Sequence, residues 1–87
     1  MNDHPELNEK QKELFERARK GVLQYLAAQG GSLPMADLHD YSAQKFFIQH
    51  QGFSRMMETF VDGQLVEYHP GNQQTTLTEK GREFIRQ

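Results

Sequence analysis

Phe53-Ser54-Arg55-Met56-Met57-Glu58-Thr59-Phe60-Val61-Asp62-Gly63-Gln64-Leu65-Val66 is the stretch whose reading decides how this chain folds. Phe53, Met56, Met57, Phe60 and Val61 recur at steps of three and four residues, the period of one apolar helix face. Burying that face turns Ser54, Arg55, Glu58, Thr59 and Asp62 outward. Gly63 then predicts a left-handed C-cap.

Downstream, the period changes from helical to alternating. Leu65 to His69 reads as a strand, Pro70-Gly71-Asn72-Gln73 as turn chemistry and Gln74 to Leu77 as a returning strand. A four-residue loop sets Val66 opposite Leu77 and Tyr68 opposite Thr75, all on one face. Glu67, His69, Gln74 and Thr76 share the other face, which is polar. Thr78 predicts an N-cap for a closing helix that hides Phe84 and Ile85 and runs to about Arg86. Gly81 inside that helix costs up to about 1 kcal/mol relative to Ala, which a close approach by neighbouring backbone would explain.

Upstream, a long helix is predicted from Pro5, a first-turn proline, to about Gln29, after an expected frayed start at residues 1–4. Its stripe is Leu7, Leu14, Phe15, Ala18, Val22, Tyr25 and Leu26, and Gly30-Gly31 stops it. Ser32-Leu33 fits a very short strand. Pro34 opens a second helix through roughly Tyr41. Ser42 reads as the cap of a further segment with Phe46, Phe47 and Ile48 inward, and Gly52 as a turn.

Composition bounds the rest. At 87 residues the chain makes one domain, with residues 1–9 an extension or helix start and 10–87 the domain body. Such a chain buries roughly 60 to 65 % of its unfolded surface, enough for a modest core and no deep substrate cavity. Hydrophobic residues are 36 %, including six Phe and four Met, so a core forms without staples. There is no cysteine, which removes disulfides, thiolate zinc sites and a thiol nucleophile and suits a cytoplasmic setting. No apolar run reaches the ~20 residues of a membrane span. The four histidines, His4, His39, His50 and His69, show no metal spacing. No GxSxG elbow or phosphate loop is present, so neither an enzyme nor a cofactor is expected.

The order helix, short strand, helix, helix, hairpin, helix resembles the winged helix-turn-helix, an α+β and mainly helical fold. The stretch 53–66 resembles a recognition helix entering the first wing strand. Thr76-Leu77-Thr78-Glu79-Lys80-Gly81-Arg82-Glu83-Phe84-Ile85 is similar to the wing end and following helix of bacterial MarR- and PadR-type regulators. The resemblance covers about residues 10 to 86. It implies a small DNA-binding protein, a transcriptional regulator or accessory factor, that reads the major groove with helix 53–62. Arg55 would pair with guanine, and Gln44, Lys45, Gln51, Ser54 and Thr59 would add contacts. His69, Asn72 and Gln74 would act at the wing. Arg17, Arg19, Lys20 or Lys45 would touch phosphates, and a homodimer would form through the first helix.

Two departures qualify the resemblance. Residues 34 to 52 are more than a tight helix-turn-helix needs, so the second helix is broken or extended. The wing carries no Lys or Arg. Charge points the same way: net −2, with five acids (Asp3, Glu6, Glu9, Glu13, Glu16) against Lys10 and Lys12 in residues 1–16. DNA-binding domains are usually basic. The alternative function is a protein-protein interaction module on the same scaffold, docking on the first helix or on exposed Phe and Met of the third. A continuous positive stripe beside Arg55 would favour DNA.

Overall fold

The computed structural model describes the backbone of residues 5–87 and the side chains from Glu9 onward. The expected fraying of residues 1–4 and the side chain of Leu7 lie outside the described residues. The elements, in order, are α1 (Pro5–Ala28), β1 (Ser32–Pro34), α2 (Met35–Phe46), α3 (His50–Asp62), β2 (Val66–His69), β3 (Gln74–Leu77) and α4 (Glu79–Arg86). The chain is thus α+β and mainly helical, with one antiparallel sheet in the order β1-β3-β2.

The hairpin register is the expected one, with Val66 opposite Leu77 and Tyr68 opposite Thr75. β1 adds to the other edge of β3 through Ser32–Thr76, Leu33–Thr75 and Pro34–Gln74 pairs. Gly30 and Gly31 both take positive φ, 102° and 91°, which reverses the chain out of α1. Gly31 then accepts a 2.7 Å hydrogen bond from the Leu77 amide, tying the turn to the sheet.

The core lies where α1, α2, α3 and the sheet meet. Ala18, Val22, Leu23 and Leu26 of α1 are buried against Leu38 of α2 and Phe53, Met56, Met57 and Phe60 of α3. Leu65, Val66 and Leu77 close it from the sheet side. Leu23 is absent from the predicted stripe, and its burial fits a helix that packs against several neighbours, α2, α4, β3 and β1, rather than one. Tyr25 of α1 stacks on Tyr41 of α2, ring centroids 3.9 Å apart, which sets the spacing of these helices. At 24 residues α1 is about 36 Å long, most of the 43 Å long axis, so its acidic first half overhangs the core.

The middle of the chain departs from expectation. α2 is extended rather than broken. Ser42 is no cap: it sits buried inside α2, its hydroxyl donating to the His39 carbonyl at 2.9 Å. Phe47, expected inward, is 86 % exposed. It is the left-handed C-cap of α2 at φ 57°, and its amide and that of Ile48 bond back to Ala43 and Ser42. That reversal points the Phe47 ring away from the core. Phe46, one residue earlier, packs over Gly21, where a Cβ would run into its ring. Gly52 makes no turn, since α3 begins two residues before it. Val61, also expected inward, is 46 % exposed at the flank of the buried arc. Gly63 is right-handed at φ −82°, and the left-handed residue is Gln64 at φ 61°.

Thr78 caps α4 as expected. Its hydroxyl accepts from the Gly81 amide at 2.9 Å and donates to the Gln64 carbonyl at 2.6 Å, so one side chain joins α4 to the turn after α3. Thr78→Ala is expected to lose about 1 to 2 kcal/mol in urea unfolding, and Thr78→Ser to restore most of it. Equal losses for Ala and Ser would show that the hydroxyl contributes nothing.

Candidate functional site

α3 is the most amphipathic long element near the surface, so its uncovered faces define the site. The row furthest from the core is Gln51, Arg55, Glu58 and Asp62, all exposed and spaced by three or four residues. It holds one cation and two carboxylates. Arg55 sits in a shallow depression with Gln11, Lys12, Phe15 and Glu16 of α1. A cation and an anion therefore flank it, and the neighbouring acids of α3 interrupt any positive stripe.

Thr59, expected outward, is turned toward α1. Its Oγ1 accepts from Arg19 Nε at 3.1 Å and donates to the Met56 carbonyl at 2.7 Å. Arg19 is itself committed to the fold, with a side chain only 15 % exposed and an ion pair to Glu16 at 2.8 Å. Its guanidinium stands 5.7 Å from the Phe60 ring centroid and 5.3 Å from that of Phe84. Of the cations expected at phosphates, Arg19 is thus a structural bracket between α1, α3 and α4. Lys20 donates to the Gln87 carbonyl. Nothing in the local sequence marks these roles, because the Arg19–Thr59 contact spans forty positions.

The remaining predicted site residues do not share one depression. Gln44 and Lys45 are exposed at the end of α2, where Lys45 lies with Arg17, Leu14 and Phe47. Ser54 faces a groove on the opposite flank of α3 from Arg55's neighbours. At the hairpin tip, Asn72 Oδ1 accepts from the Gln74 amide at 3.2 Å, shaping the turn. Gln74 Oε1 accepts from the Ser32 hydroxyl at 3.3 Å, joining β3 to β1. His69 is exposed, with Nε2 4.0 Å from Glu67.

A second concavity lies beside Ser54. It runs between α2, α3 and β2 and holds about 670 Å³. Met35 and Ala36 of α2, Phe53, Met57 and Val61 of α3, and Tyr68 of β2 give it an apolar floor. Asp40, Glu58 and Asp62 stand around it, with His39, His50, Ser54 and Gln73, and no Lys or Arg lines it. The His39 ring meets Phe53 edge-on at 5.0 Å and His50 at 5.5 Å, which joins α2 to α3 here. Met57 and the acids of α3 are legible in the sequence, but the groove is not, because three separate elements assemble it.

Among the described residues no group of three or more His, Cys, Asp or Glu is arranged to hold a metal ion. No helix described is long and apolar enough to cross a membrane. Comparison with models of protein families, with characterised proteins and with solved structures returned no match.

Proposed function

We propose that this chain is a protein-interaction module on a winged-helix scaffold, and that its partner docks beside α3. The element order and the β1-β3-β2 sheet support the scaffold, with β2 and β3 as the wing. The observation that carries the function is the α3 groove, apolar at its floor and lined by three carboxylates and no Lys or Arg. Apolar concavities with a few polar groups are where ligands and partner side chains bury surface. Phosphodiesters gain nothing there: DNA affinity comes largely from cations that displace counterions, and carboxylates at the same surface oppose it.

A second reading, a DNA-binding regulator, rests on the first half of α3, where Gln51, Ser54 and Arg55 are all exposed ahead of the acids. It includes a homodimer through α1, with Leu14, 59 % exposed, at the contact.

A salt-dependent titration with mixed duplex DNA separates the two. The interaction reading expects binding no tighter than about 10⁻⁴ M at physiological salt, a shallow slope, and no change in Arg55→Ala. A slope equivalent to six or more phosphates would move the conclusion to DNA. So would a loss of about 1 to 3 kcal/mol in Arg55→Ala confined to a preferred site, with sedimentation as a dimer.

A further inference from the structure

We infer that the α3 groove takes a basic, amphipathic segment of a partner protein. Its apolar side chains would enter between α2, α3 and β2, and its Lys or Arg would face Asp40, Glu58 and Asp62. The inference rests on the interaction reading above and adds the chemistry of the partner.

Charge bookkeeping within the fold carries it. Two carboxylates elsewhere pair with an arginine, Glu16 with Arg19 at 2.8 Å and Glu83 with Arg86 at 3.7 Å. Around the groove they do not. Asp40 has only His39 Nδ1, at 3.9 Å, and Glu58 and Asp62 enter no ion pair among the described residues. Glu58 and Asp62 are four residues apart on one side of α3, a like-charge spacing that weakens a helix slightly. A partner cation between them relieves that repulsion and gains attraction from both.

The floor complements this rim. Met35 and Met57 are unbranched and polarizable, so they adapt to aliphatic or aromatic side chains of differing shape. Val61, 46 % exposed, offers apolar surface that the fold itself leaves uncovered. A volume of about 670 Å³ suits side chains of a short segment rather than a whole domain face. Apolar residues at helical spacing, with Lys or Arg beside them, match both features at once.

The test uses the full chain and two short helical peptides, one built from leucine and lysine, the other from leucine and glutamate. Binding is read by fluorescence anisotropy and mapped by amide chemical shifts. The lysine peptide is expected to bind at least about tenfold tighter, weaken with salt and shift Phe53, Val61 and Tyr68. Asp40→Asn with Glu58→Gln and Asp62→Asn, all at exposed positions, is expected to remove most of that preference while leaving the circular dichroism unchanged. Val61→Ser, which removes apolar floor without adding charge, is expected to weaken both peptides.

If the glutamate peptide occupies the groove equally well, the charge assignment falls and the interaction reading stands. If the lysine peptide shifts only the acidic first half of α1, the assignment falls as well. If neither peptide shifts the groove residues, the assignment and the groove-based interaction reading fall together.

Discussion

Phe60→Ala is expected to lose about 3 to 5 kcal/mol of stability, because the ring is fully buried beneath α3 and little can collapse into its place. A domain of this size holds roughly 4 to 13 kcal/mol in total, so the loss takes from about a quarter of it to all of it. Its thermal midpoint should fall by roughly 12 to 40 °C. The substitution also removes the surface over which Arg19 lies, and with it part of the bracket between α1, α3 and α4. Phe47→Ala is the internal control. The same side chain is deleted from a position 86 % exposed, and the expected change stays within about 0.5 kcal/mol. Urea and thermal unfolding of both variants give the comparison. A Phe60 loss below about 1.5 kcal/mol would mean that the core is centred elsewhere.

Gly81→Ala is expected to destabilise the chain by about 1 to 3 kcal/mol, against the sign that helix propensity alone predicts. Propensity favours Ala over Gly by up to about 1 kcal/mol inside a helix. Here, however, a Cβ on residue 81 would run into the Leu65 carbonyl oxygen and stand 2.6 Å from Leu77 Cδ1. The leucine tip can turn aside. The carbonyl has less freedom, because it already accepts the Thr78 amide at 3.0 Å, next to the cap that starts α4. Accommodating a methyl group therefore pushes α4 off β2 and β3 and loosens Phe84 and Ile85, which pack on the core. Urea midpoints decide the matter, and a variant more stable than the parent would show that α4 shifts freely.

These two positions differ in how far they can be read from the sequence. Gly81 announces itself: a glycine in a helix otherwise free of one costs stability, and a close backbone approach is a sufficient reason for it. Phe60 is legible as one of a helical series. Phe46 and Phe47 are not separable this way, since both are aromatic neighbours in an apolar run. Their opposite fates follow from a left-handed residue at the end of α2, and that conformation falls on Phe47, where no glycine flags it. Ser42 misleads for a related reason. A hydroxyl can cap a following helix or bond back within its own, and only the carbonyl of His39 in reach settles which.

What the amino-acid sequence determined by itself was the set of elements and the hairpin register. Periodicity of three to four, or of two, reports which side of each segment seeks cover, and a four-residue turn leaves one pairing that separates apolar from polar. What the tertiary structure alone decided was the use of the flanks. Val61 lies at the edge of its helix's hidden arc, and whether such a residue is covered depends on how closely a neighbour approaches. α2 and β2 stand far enough from α3 there to leave a groove. On the other flank α1 comes close enough for Arg19 to claim Thr59. Distances between elements remote in sequence set both outcomes, and no local pattern encodes them.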